Sequence, residues 1–195
     1  MSEEFLPPER IGFVGLGNMG APMARHLVAG GYRVMAADAD RATLERFCGS
    51  ASCEPARTLS DLGRSCRLVI TMLPDGAAVR QVLLGEQGVA AGLVPGSVVL
   101  DMSSAEPLGT RELGRTLAAA GVSLVDAPVS GGVKRAVEGT LAVMAGGDRA
   151  LQAGTGEART GLRERRVRIG TCGEGAQQLP VGGGPGGHGG GDACR

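Results

Sequence analysis

The residues of this chain whose types and spacing can do chemistry are three glycines, Gly15, Gly17 and Gly20, and an acid, Asp38. The stretch Ile11-Gly12-Phe13-Val14-Gly15-Leu16-Gly17-Asn18-Met19-Gly20 begins as a short apolar run and breaks into the pattern Gly-x-Gly-x-x-Gly. It then continues with helical spacing at Met23, Leu27 and Val28. Strand, tight turn and helix follow one another. Gly15 permits the turn, Gly17 lets a pyrophosphate approach bare backbone, and Gly20 lets the helix pack closely on the strand. The helix N-terminus offers N–H groups to the phosphates. A second apolar run, Tyr32 to Ala37, ends at Asp38, 18 residues past Gly20. There a carboxylate accepts hydrogen bonds from an adenosine ribose. Because a carboxylate repels a 2′-phosphate, the pattern favours NAD, with Arg33 and Arg41 close enough to leave NADP open.

These residues need a scaffold, and the rest of the chain supplies its pattern. Apolar runs recur at Gly12–Gly15, Val34–Ala37, Leu68–Leu73, Ser97–Met102 and Ser123–Ala127, separated by helical periodicity such as Met23 to Val28 and Leu108 to Leu117. Strands alternating with helices predict an α/β fold with a doubly wound, mostly parallel sheet over residues 10–170. Its loops after the strands line one edge, where ligands bind. Three of those loops have distinctive composition. In Thr71-Met72-Leu73-Pro74-Asp75-Gly76, Leu73 and Pro74 either pack against an adenosine or form an ordinary strand-to-helix turn. In Asp101-Met102-Ser103-Ser104-Ala105-Glu106-Pro107, the serines cap the next helix, face the nicotinamide ribose, or do both. In Asp126-Ala127-Pro128-Val129-Ser130-Gly131-Gly132, a hydroxyl and consecutive glycine N–H groups can converge on an anion such as a carboxylate.

The bulk properties limit the partners. With 20 basic and 20 acidic residues among 195, and 43% hydrophobic content, the chain has the balance of a soluble globular protein rather than the basic face that nucleic acid requires. No apolar run approaches the roughly 18 residues of a membrane span, and the acidic start resembles neither a secretory signal nor a transit peptide. The cytoplasm is the expected compartment. Cys48, Cys53, Cys66, Cys172 and Cys194 are odd in number and lack Cys-x-x-Cys spacing, which predicts reduced thiols with neither zinc nor a disulfide framework. His26 is expected to pack or be exposed, and His188 has no evident role.

Taken together, the glycine stretch, Met72-Leu73-Pro74, Asp101-Met102-Ser103-Ser104 and Asp126-Ala127-Pro128-Val129-Ser130-Gly131-Gly132, followed by Gly139-Thr140-Leu141, Met144 and Gly146-Gly147-Asp148, resemble the β-hydroxyacid dehydrogenase family. That family includes 3-hydroxyisobutyrate dehydrogenase and tartronate semialdehyde reductase, and the resemblance covers residues 10 to 150. It implies that Gly15, Leu16, Gly17, Asn18, Met19, Gly20 and Asp38 bind the dinucleotide, with Leu73 and Pro74 flanking it and Ser104 on the nicotinamide side. It further implies that Ser130, Gly131 and Gly132 hold the carboxylate of a small 3-hydroxy acid; in the family, homo-oligomers form largely through an all-helical second domain. In the family a lysine completes the chemistry by exchanging the hydroxyl proton while hydride passes to the nicotinamide.

The last quarter departs from that pattern. Gly170-Thr171-Cys172-Gly173-Glu174-Gly175 matches the start of the lysine-bearing helix, but Leu179 stands at the lysine position and Pro180 follows it. Lys134, the single lysine of the chain, reads as a surface residue. Eight of the ten residues from 182 to 191 are glycine, so residues 171–195 are expected to be a disordered tail in place of the helical domain. Residues 151–166 also match poorly, since Gly154, Gly156 and Gly161 each cost a helix about 1 kcal/mol relative to alanine. Matching resumes at Val167, as reading-frame shifts near 151–163 and after Gln177 would produce. The alternative function is therefore a dinucleotide-binding remnant without turnover.

Overall fold

The computed structural model describes residues 4–104, 106–144, 146, 147, 167 and 168. Leu179, His188, Cys172, Cys194 and the expected tail at 171–195 lie outside the described residues, as does all of 151–166. At the centre of the sheet stands β2 (Arg10–Val14), flanked on one side by β3 (Arg33–Ala37) and on the other by β5 (Leu68–Thr71). Beyond β3 lies β4 (Cys53–Pro55); beyond β5 lie β6 (Val98–Asp101) and β7 (Ser123–Asp126). These six strands are parallel, and β10 (Gly146–Gly147) closes the far edge antiparallel to β7. The doubly wound architecture expected from the sequence is thus present, with the strand order reversing between β2 and β5.

A parallel sheet covered on both faces needs strands that are apolar throughout, and all four residues of β5, Leu68-Val69-Ile70-Thr71, are buried. One face packs Ile11, Phe13 and Ile70 against Met23 and Leu27 of α1 (Gly20–Ala29). The other packs Val14, Val69 and Val99 against Leu62 of α3 (Leu59–Ser65), Leu83 of α4 (Gly76–Leu84) and Leu117 of α5 (Pro107–Ala119). The helix starts follow from local chemistry. Asp40 accepts from the Ala42 amide at 3.1 Å to start α2 (Arg41–Ser50), Thr58 accepts from Asp61 at 3.0 Å to start α3, and Asp75 accepts from Ala78 at 2.8 Å to start α4. Helix α5 starts on Pro107, whose missing N–H costs nothing in a first turn.

Register decides what stands at the ligand-facing edge. Ala37, Val14, Thr71, Asp101 and Asp126 are paired strand to strand and form the last rung of five parallel strands. Beyond β7 the chain makes β8 (Val129–Ser130), α6 (Gly132–Glu138) and β9 (Ala142–Val143), with β8 and β9 antiparallel. At the amino end, β1 (Glu4–Phe5) pairs antiparallel with β11 (Val167–Arg168), so the point where matching resumes in the sequence is also a strand.

Two expectations need correction. Strand β4 was not among the apolar runs because it is a short polar edge strand, Cys-Glu-Pro, and an edge tolerates Pro55. The cysteines of this region are not all free: Cys48 and Cys53 form a disulfide, because α2 ends at Ser50 and the chain turns directly into β4, bringing their Cα atoms to 5.0 Å. Spacing alone hid the pair, since a five-residue separation becomes bridgeable only when a helix end folds back onto the neighbouring strand. Cys66 is free and buried.

Candidate functional site

The site is built around the turn between β2 and α1. Gly15 has φ +96° and donates its N–H to Ala37 O at 3.0 Å. A Cβ there would collide with Met72 O and lie 3.1 Å from Leu73 Cδ2. Gly15 therefore serves two needs at once, a left-handed backbone and room for the neighbouring loop. Among the described residues nothing lies within 4 Å of where a Cβ on Gly17 would stand, and both Gly17 and Asn18 are exposed. That open face is the surface on which a diphosphate can rest. A Cβ on Gly20 would strike Gly15 O and approach Phe13 Cε1 to 3.2 Å, so glycine here lets α1 begin against its strand. Among the described residues no side chain caps α1, whose N-cap is Met19. Its leading N–H groups carry the positive end of the helix dipole toward the same open face.

Asp38 closes the turn from the end of β3. Its Oδ2 accepts from Leu16 N at 2.6 Å and its Oδ1 from Asp40 N at 2.8 Å, which fixes the carboxylate in place while leaving lone pairs free for diol hydroxyls. Leu16 contributes through its backbone alone; its side chain is buried in the core at 2% exposure.

The loop after β5 is tied down from a neighbour. Met72 N bonds Val14 O at 2.9 Å, and Leu73 N donates to Ser103 Oγ at 2.9 Å. Met72 and Leu73 thus stand beside the glycine turn, with Pro74 next in the chain, while Asp75 caps α4. For the serines of the next loop, the capping alternative does not hold. The N-cap residue of α5 is Glu106, without a side-chain cap, and Ser103 is wholly buried and bonded to Leu73 instead. Ser104 is exposed at the same edge.

Ser130 ends β8, and Gly131 (φ +135°) and Gly132 (φ +67°) both adopt backbone that glycine alone takes easily. All three are exposed. Lys134 follows in α6, also exposed, in keeping with a surface role. Leu179, which stands where the resemblance expects a lysine, lies outside the described residues.

Two features were not visible in the sequence. Burial, and then the charge of Asp101, pushes Asp126 up to about 6 from an ordinary 3.8. His26 does more than pack: its Nε2 lies 3.0 Å from both Ala136 O and Val137 O, and can donate to carbonyls at the C-terminal end of α6. Its ring fills the space beside Gly139, which has φ +68°. Residues 26 and 136 are 110 apart in sequence, and no local pattern links them.

The arrangement offers an open backbone face at Gly17, an acid at Asp38 fixed by two backbone amides, and an exposed polar edge beyond β7. Comparison with known proteins gives the family. The family model described as the NAD binding domain of 6-phosphogluconate dehydrogenase matches residues 10–157. The chain is 39% identical over 137 residues to 3-sulfolactaldehyde reductase of Escherichia coli (strain K12), covering 70% of this chain and 46% of that protein. It is 37% identical over 143 residues to 2-hydroxy-3-oxopropionate reductase of the same organism, covering 73% and 48%. A solved structure of Mycobacterium tuberculosis 3-hydroxyisobutyrate dehydrogenase with L-serine superposes with a TM-score of 0.68 at 36% identity, over 73% of this chain and 48% of that one. The chain spans about half the length of the curated relatives it matches.

Proposed function

Because this chain belongs to the family of the NAD-binding domain of 6-phosphogluconate dehydrogenase, among NAD(P)-dependent hydroxyacid dehydrogenases, we propose that it serves hydride transfer between a nicotinamide dinucleotide and a small 3-hydroxy acid such as 3-hydroxyisobutyrate. The observation that carries the proposal is the pairing of Asp38 with Leu16 N at 2.6 Å across a turn whose Gly17 face is open. Phosphate and ribose sites are thereby held at a fixed distance before any ligand arrives. When bound, the nicotinamide supplies the hydride acceptor or donor. The residues of the chain do the rest. Gly15, Leu16, Gly17, Asn18, Met19 and Gly20 present backbone to the diphosphate, Asp38 takes the ribose hydroxyls, and Leu73 and Pro74 flank the adenosine. Ser104 faces the nicotinamide side, while Ser130, Gly131 and Gly132 receive the substrate carboxylate. Asp38 favours NAD by repelling a 2′-phosphate, with Arg33 and Arg41 as the residues that would temper that preference.

A second reading is supported by Leu179, an apolar residue where the resemblance calls for the proton-transferring lysine. In that reading the chain binds the cofactor without turning over substrate, since a general acid–base group contributes roughly 10²–10⁴-fold in rate. Titration of the 195-residue chain with NADH and NADPH, followed by nicotinamide fluorescence, beside a turnover assay on a panel of 3-hydroxy acids separates the two. Binding with turnover supports the first, binding without turnover the second, and no binding of either nucleotide refutes both.

A further inference from the structure

The last rung of the sheet contains a polar cluster that dinucleotide binding as described does not use. Thr71, Asp101 and Ser103 are all 0% exposed. The Asp101 Oδ1 accepts from Thr71 Oγ1 at 2.8 Å and from Ser103 N at 3.1 Å, while Oδ2 is buried with no hydrogen-bond partner among the described residues. Asp126 stands directly across from Asp101 on β7, one carboxylate beside another. For stability this is a poor choice, because a buried carboxylate with an unpartnered oxygen costs free energy that an apolar residue of similar size does not. The neighbours of the rung on the other side, Val14 and Ala37, show that an apolar solution fits the same row.

What the cluster does instead is connect. Thr71 is the last residue of β5, and Asp101 holds it; Ser103 lies two residues past Asp101, and Asp101 holds its amide. Ser103 Oγ then accepts from Leu73 N at 2.9 Å, and Leu73 with Met72 forms the wall that touches Gly15. An unbroken chain of bonds runs from a buried carboxylate to the loop beside the glycine turn. We infer that Asp101 is a positioning residue: through Thr71 and Ser103 it sets where the Met72–Pro74 loop stands against Gly15, and so sets the width of the cleft that receives the dinucleotide. The functional part of this inference rests on the proposed placement of the dinucleotide along that cleft.

The test uses the full chain and the variants Ser103→Ala, Asp101→Ala and Asp101→Asn, with two readouts: NADH affinity by fluorescence titration, and hydrogen exchange of single backbone amides by NMR. Ser103→Ala removes one acceptor, so Leu73 amide exchange should rise about tenfold or more and NADH affinity should fall about fivefold, while Ile70 exchange stays unchanged. Asp101→Ala should do the same or more. Asp101→Asn keeps an acceptor oxygen for Thr71 and the Ser103 amide, and should stay within about twofold of the parent in both readouts, a rescue that general loss of packing would not show. Wild-type Leu73 exchange in Ser103→Ala, or Asp101→Asn no better than Asp101→Ala, overturns the inference. Should Asp101→Ala fail to fold, Ser103→Ala decides alone. If the parent chain takes up no NADH, the proposed function fails, and the exchange measurements still decide whether the latch exists.

Discussion

Neutralising Asp126 should stabilise the protein above pH 6 and leave it unchanged near pH 4. The folded chain holds this carboxyl at about 6 against an ordinary 3.8, chiefly through burial and secondly through the charge of Asp101. A folded value raised above the unfolded one means that the folded state binds the proton more tightly. The associated stability is fully present below 3.8, declines as pH rises through the window from 3.8 to about 6, and is gone above it. At 1.36 kcal/mol per pH unit the whole window amounts to about 3 kcal/mol. Asp126 is half-buried rather than sealed, so solvent screening reduces the expected effect to about 1–2 kcal/mol. Asp126→Asn removes the charge while keeping the shape. Urea unfolding at pH 4, 5, 6 and 7.5 should therefore give a difference between variant and parent that grows from near zero to about 1–2 kcal/mol in favour of the variant. Taking the difference between two curves cancels groups such as Asp40, which the Thr43 hydroxyl and then the Ala42 amide hold below its ordinary value and which acts with the opposite sign. A variant that is less stable by the same amount at every pH would show that Asp126 makes a favourable interaction, and the reasoning from burial and like charge would be refuted.

Three further outcomes are expected. Gly20→Ala forces a Cβ into Gly15 O and should cost about 1–3 kcal/mol in chemical denaturation, with NADH affinity falling because the turn itself must move. His26→Ala removes the donor to Ala136 O and Val137 O; a loss of about 1 kcal/mol is expected, with amide exchange rising in α6 but not in β2. Cys66 is pushed up to about 12, by burial above all, so at pH 8 only about one thiol in 10⁴ is ionised. The parent and Cys66→Ser should then show equal counts of reactive thiols in the native state and differ by one after unfolding.

The expected α/β sheet was legible because parallel strands buried on both faces leave apolar runs, and the glycine turn was legible because φ and close approach restrict residue type. Strand β4 escaped notice, being three polar residues long, and the Cys48–Cys53 disulfide escaped because closeness came from the fold rather than the spacing. The serines at 103 and 104 show the limit most clearly. Their composition suits a helix cap, yet Ser103 was captured by Leu73, 30 residues away, because strand order placed β5 beside β6.

By itself, then, the sequence determined the strand–turn–helix at Gly15 to Gly20, the acid at the end of the next strand and the family to which both belong. These depend on neighbours in the chain, where steric allowance and spacing act directly. Only the tertiary structure decided which groups meet across strands and helices: Asp38 with the Leu16 amide, Asp101 with Thr71 and Ser103, and His26 with the end of α6. Such contacts join residues 22 to 111 positions apart, or depend on a loop fixed by one that does, and follow from strand order and register, which no local pattern encodes.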